Sequence, residues 1–149
     1  MPTIGTKLRS FVLDSTSVSG LIATRMHQNT IPEESAYPHA LYTRSGAVSD
    51  VDLDGTADGF MEETFDLEIY EQDSTRVMDG LSSALAIADA LRSRLQDHSA
   101  ARSSTAFGAK RVRGIFVDDH DDSFIPKGIS DDMGVHLASF QITIFHDCT

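Results

Sequence analysis

Four carboxylates stand in a spacing that suits a hard cation: Asp50, Asp52, Asp54 and Asp58, with Gly55 among them and Glu62 following. Alternate side chains in such a run converge on one side, and the glycine permits the sharp turn of a calcium loop. Counted from Asp50, Asp58 falls at the ninth position as an EF-hand requires, but the twelfth is Met61 and Glu62 comes one residue late. The flanks read as strands where that motif needs helices. The favoured reading is an acidic, solvated hairpin loop, with a weak calcium site as the competing expectation.

A second cluster, Asp118, Asp119, His120, Asp121 and Asp122, has the groups for cation binding or for base catalysis by histidine. Strand alternation would split these groups between two faces, so a charged turn is expected. Hydrolase patterns fail. Ser17, Val18, Ser19 and Gly20 lack the leading glycine of a nucleophile elbow, and Gly80, Leu81, Ser82, Ser83 and Ala84 end in alanine inside a helical pattern. No phosphate-cradling or dinucleotide-binding glycine loop is present. His27, His39, His98, His120, His136 and His146 show no zinc-type pairing, and Cys148 has no evident activating partner. An enzyme would need a pocket gathering His136, His146 and acidic residues. No catalytic residue, cofactor site or metal site is assigned, and no cofactor is expected.

The elements that must position these groups follow from periodicity. Leu8, Phe11 and Val12 make Lys7 to Leu13 a short amphipathic helix, and Ser17 to Ala23 a second helical turn. Pro32 and Pro38 bracket an irregular connection before a short strand, His39 to Thr43. Gly46 to Gly59 reads as a long exposed loop. Thr64 to Tyr70 alternates Phe65, Leu67 and Ile69 against Asp66, Glu68 and Tyr70, the pattern of a half-buried strand. From an N-cap at Ser74, Val77, Leu81, Ala84, Leu85, Ala88, Leu91 and Leu95 recur at helical spacing, with Arg92 and Arg94 at the dipole-favoured end. His98 to Lys110 is rich in Ser, Ala, Thr and Gly and is expected to be a mobile loop or an arm, with a subunit contact as its favoured role. Its Arg102, Lys110 and the following Arg111 and Arg113 suit nucleic acid backbone as well, but Phe107 alone is too little for base stacking. Arg111 to Val117 and Val135 to Phe145 are two further strands. The fold class is therefore α+β: a small, mainly antiparallel sheet with one long helix packed on a face and a short N-terminal helix.

Length and charge bound the rest. A chain of 149 residues with 40% hydrophobic and 23% charged residues fits one domain, residues 1–149, and rules out wholesale disorder. Its longest apolar run, Ala84 to Ala88, is far short of the roughly 20 residues of a membrane helix. The start of the chain lacks the apolar core of a signal peptide, and a single cysteine, Cys148, permits no internal disulfide, so a reducing cytosol is the expected place of synthesis. A net charge of -11 disfavours a sequence-specific DNA binder. The charge is blocked: ten acids and no Lys or Arg between Ser45 and Asp73, a net +5 from Arg92 to Arg113, and a net -5 from Asp118 to Asp132. Charge runs are usually solvated faces. Patches of opposite sign also suit head-to-tail contacts between copies that close into a ring.

Several segments together resemble the tail-completion, or tail-terminator, proteins of long-tailed bacteriophages and gene transfer agents. They are Leu8 to Leu13; Val18, Ser19, Gly20, Leu21 and Ile22 with Arg25 and Met26; Tyr37, Pro38, His39, Ala40 and Leu41; Phe65 to Tyr70 after the acidic loop; the helix Ser74 to Leu95; and His136 to Phe145. The resemblance spans nearly the whole chain. It implies a structural virion protein forming a sixfold ring on the head-proximal end of the tail tube, a homohexamer that stops tube polymerisation and meets the head completion proteins. It implies assembly in the host cytoplasm, no membrane, and genomic DNA passing through without sequence-specific binding. An acidic segment, Asp50 to Glu63 or Asp118 to Asp132, is expected to face the lumen or the neighbouring subunit. A neck adaptor or stopper ring is the nearest alternative. A monomeric calcium- or ligand-binding α+β domain is the alternative of another class, and would show no self-assembly.

Overall fold

The computed structural model describes residues 4–32, 36–51, 57–72, 80–97, 101, 112–125 and 134–147. Two short helices, α1 (Ile4–Leu13) and α2 (Thr16–Ile22), lead into strand β1 (Met26–Gln28), then β2 (His39–Val51) and β3 (Ala57–Gln72). Helix α3 (Gly80–Leu95) precedes β4 (Val112–Ile125) and β5 (Val135–Asp147). The strands form one sheet in the order β1-β2-β3-β5-β4. Only β1 runs parallel to its neighbour, β2; every other pairing is antiparallel.

The expected α+β class holds, and so does the strand at Phe65 to Ile69. Apolar residues at alternate positions put Phe65, Leu67 and Ile69 on one face, opposite Ile142, Phe140 and Ala138 of β5. Tyr42 lies opposite Leu67, with its ring 6.3 Å from that of Phe65. Helix α3 closes this face with Ala84, Ile87, Ala88, Leu91 and Leu95, all at most 1% exposed. Helix α1 adds Ile4, Leu8, Phe11 and Val12, and α2 adds Val18 and Ile22. The close approach of α1 depends on Gly5, where a Cβ would meet Gln28 Nε2 at 2.9 Å and Phe65 at 3.4 Å.

Main-chain carbonyls at the joins are held by arginines. Arg9 donates to Met26 O and Thr24 O at 2.8 Å each, and Arg25 donates to Pro38 O at 2.7 Å. Arg94 donates to Phe11 O at 3.0 Å while its guanidinium lies 3.9 Å from the Phe11 ring, tying α3 to α1.

Two expectations need correction. The loop expected over Gly46 to Gly59 is largely strand: β2 and β3 pair as far as Val51 and Ala57, with irregularities at Arg44/Gly46 and Ser49/Val51. Antiparallel pairing needs only backbone groups, so it continues where hydrophobic alternation stops. The charged turn expected at Asp118 to Asp122 lies inside β4, which has a register shift between Asp118 and His120. An edge strand tolerates such acids, and charges and bulges there also discourage unwanted pairing. Strand β1 falls between the helical turn at Ser17 to Ala23 and the connection bracketed by Pro32 and Pro38, where the pattern assigns no element. The start of the long helix expected from Ser74 lies outside the described residues, within 73–79.

Candidate functional site

Among the described residues, those that suggested chemistry do not converge. Asp52, Asp54 and Gly55 lie outside the described residues, while Asp50 and Asp58 belong to the paired strands on either side. Among the described residues no group of three His, Cys, Asp or Glu is placed to hold a metal ion. Ser17 and Ser19 belong to α2; Ser83, on α3, donates its hydroxyl to Glu71 at 2.7 Å. His98, Arg102, Phe107, Lys110, Arg111 and Cys148 lie outside the described residues, and Arg113 lies in β4.

His136 and His146 sit on the same face of β5, ten residues apart. At about 3.3 Å per residue that is roughly 33 Å, so no one pocket gathers both. His146, 1% exposed, places Nε2 2.5 Å from Glu63 Oε2, and Arg44 Nε reaches Oε1 at 2.9 Å. This buried carboxylate has partners from both neighbouring strands, an arrangement that fixes β2, β3 and β5 together.

At the other end of the sheet His39, 5% exposed, is stacked on Tyr37 at 4.8 Å and lies 5.4 Å from Tyr70. Its Nδ1 lies 3.1 Å from Ala36 O, the geometry of a donor to that carbonyl. Burial, foremost, holds its pKa below the ordinary value of 6.5, outweighing the Ala36 hydrogen bond. His27 is lowered too, by burial and then by Arg9. Burial and the hydrogen bond to Glu68 push the Tyr70 hydroxyl far above its usual range. A cleft between α2 and α3, about 360 Å³, is lined by Ser15, Ser17, Ala90, Ser93, Arg94 and Asp97. Arg94 is already committed to Phe11 there.

What the fold builds most extensively is a surface. The helices pack on one face of the sheet, and none of the described elements lies over the other. Along β3 that open face reads Glu62, Thr64, Asp66, Glu68 and Tyr70, all half-buried, and along β5 Leu137, Ser139, Gln141, Thr143 and Phe145. Register aligns Thr43, Asp66, Gln141 and Asp118 in one row across four strands. Gln141 Nε2 donates to Asp66 Oδ1 at 3.0 Å, and the hydroxyls of Thr64 and Thr143 meet at 3.5 Å. Phe116, 56% exposed, stands edge-on to Phe145 with centroids 5.3 Å apart, and leans over Gly114. Of the described arginines, Arg9, Arg25, Arg44, Arg92 and Arg94 all bond elsewhere. The face is thus acidic and polar with one aromatic corner.

The chain belongs to the Tail completion protein gp17 family, whose model matches residues 6–145. It is a structural protein of the phage tail, located in the virion. No curated protein matches the sequence. Among solved structures, the fold is similar to a chain in the virion of a native gene transfer agent particle. The TM-score is 0.54 at 15% identity, over 92% of this chain and 90% of that one. At that identity the likeness is one of fold. No described helix is long and apolar enough to cross a membrane.

Proposed function

We propose that the protein forms a ring of six copies at the head-proximal end of the tail. There it ends polymerisation of the tail tube and joins tail to head, with residues 1–149 working as one domain. The observation that carries this reading is membership of the tail-completion family over residues 6–145. The two-faced sheet supports it: one face is consumed by the core, and no described element covers the other, which suits contact with a second molecule. Its partners are further copies of itself, the tube protein and the head completion proteins. DNA crosses the channel without specific contacts, since a chain of net charge -11 does not trap a polyanion.

The test is a phage lacking this gene, examined by electron microscopy beside native mass spectrometry of the purified protein. Over-long tails that fail to join heads, together with a six-copy species, are expected. Tails of normal length still joined to heads would overturn the reading, whereas normal tails with unjoined heads would transfer the protein to an adaptor or stopper ring.

A further inference from the structure

On the helix side of the sheet, the cleft of about 360 Å³ between α2 and α3 has polar walls: Ser15, Ser17, Ser93, Arg94 and Asp97, with Ala90 as the one apolar lining residue. Sites for cofactors are mostly apolar with a few polar groups, so a polar side chain suits this cleft better. Ser15 stands at the N-cap of α2, yet its hydroxyl caps no main-chain N–H. Arg94 is held by stacking on the Phe11 ring and by the bond from its Nε to Phe11 O, a neutral acceptor. Its charge is therefore oriented, and it is paired with no described carboxylate.

Asp97 shares the walls, so a lone anion is not the best fit. A guanidinium, hydroxyls and one carboxylate together take a carboxylate that stands beside an N–H donor. The open face carries such a pair. Gln141 Nε2 gives one of its two hydrogens to Asp66 Oδ1 at 3.0 Å, which leaves the second hydrogen and the other carboxylate oxygen for an incoming partner. The surrounding charge agrees: Glu62, Glu68 and Asp118 share that face with Asp66, and among its described side chains there is no Lys or Arg.

We propose that the Asp66 and Gln141 pair on the open face of one copy seats in the cleft between α2 and α3 of the adjacent copy, Asp66 towards Arg94 and the Gln141 amide towards Asp97. This rests on the ring reading above and names its subunit contact. The pair cannot reach the cleft of its own chain, because the sheet and its core lie between them. The contact is heterologous, one patch on one copy meeting a different patch on the next, the geometry that closes rings. Charge also selects this partner surface over the obvious rival, since two open faces would meet acid to acid. The serine hydroxyls both donate and accept, so they serve either member of the pair.

The test uses two full-length variants. One adds acid to the cleft at two exposed positions (Ser17→Glu, Ser93→Glu); the other reverses the face (Asp66→Lys, Glu68→Lys). Circular dichroism checks that each folds, and a neutral set (Asp66→Asn, Glu68→Gln) replaces the second if it does not. Native mass spectrometry, and cross-linking of copies in tails from infected cells, are the readouts. Each variant alone should lose the multimer by about tenfold or more, as like charges now meet. Mixed one to one, they should assemble alternately, the reversed face meeting the acidified cleft at every second contact and unchanged groups meeting at the others. The neutral set, where used, should reduce the multimer and weaken its dependence on salt. Either variant assembling as wild type does would overturn the proposal. So would a mixture of the two folded variants that stays apart, since both surfaces would then matter without meeting each other. Wild-type protein present as single copies both in solution and in tails would defeat the ring reading itself, a result seen before any variant is made.

Discussion

The two faces of this sheet are made by alternate residues of the same strands, and they have opposite fates. On one, Phe65, Leu67, Ile69, Ala138, Phe140, Ile142 and Ile144 are at most 3% exposed beneath three helices. On the other, one residue further along, Asp66, Glu68, Ser139, Gln141 and Thr143 remain half-exposed. Adhesion to the helices therefore accounts for stability, and the polar face is left available for a contact the folded chain does not itself require. A one-residue slip in register would exchange the two sets, so the dry face also fixes which residues the other one offers.

The sharpest way to break this contrast is to remove one aromatic from each face. Phe65→Ala opens a cavity beneath α1 and α3 and should cost about 3–5 kcal/mol. Phe116→Ala, at a site 56% exposed, should cost less than about 1 kcal/mol. Urea denaturation of both variants measures the difference; similar losses would mean that the open face is part of the core.

Next in size is the buried Glu63, where the dry face ends in charge. In His146→Leu the carboxylate loses one of its two side-chain partners and keeps Arg44, so a loss of about 1–3 kcal/mol is expected. Thermal melting at neutral pH decides it. No loss would mean that the apolar replacement compensates for the pair, as can happen with buried ion pairs.

A smaller effect is expected at His39, and it depends on pH. Its folded pKa lies below the unfolded 6.5, so its neutral form contributes stability that is fully present above pH 6.5. That contribution is lost as pH falls through the lowered folded value, because the unfolded chain takes up the proton first. His27 shifts in the same direction, while Arg25 and Glu71 oppose each other at His39. The gap in melting temperature between wild type and His39→Gln should therefore narrow on acidification from pH 7 towards pH 5. A gap that widens would reverse the assignment.

The dry face was the legible part of the sequence. Alternation at Phe65, Leu67 and Ile69, and helical spacing from Ala84 to Leu95, exist because those residues must meet across a core, and periodicity records that need. The open face leaves no such record. Asp118 to Asp122 read as a turn because they carry no hydrophobic alternation, and pairing with β5 is a backbone property. Strand β1 is three residues long and pairs in parallel with a strand fourteen positions on, too short for any period to show. Arg9, Arg25 and Arg94 gave no signal either, since their carbonyl partners lie 13 to 83 residues away in sequence. The charge blocks were visible from the start, but which acids share a face depends on register. Glu63 lies inside the acidic run, yet the pleat turns it to the buried side with His146 while Glu62 stays on the open one.

The smallest expected effect on folding is also the most informative about function. Asp66→Ala removes a carboxylate at the centre of the four-strand row and leaves the core beneath it untouched, so its loss of stability should stay within about 1 kcal/mol. Gln141 Nε2 loses its acceptor but remains half-exposed, where water can replace it. If the open face is an assembly surface, the same substitution should reduce tail joining by far more than its effect on melting, because the carboxylate matters only once a second molecule covers it. Infectivity that falls only in proportion to folded protein would instead make Asp66 a solvated residue of an idle surface, and the two faces would differ in burial alone.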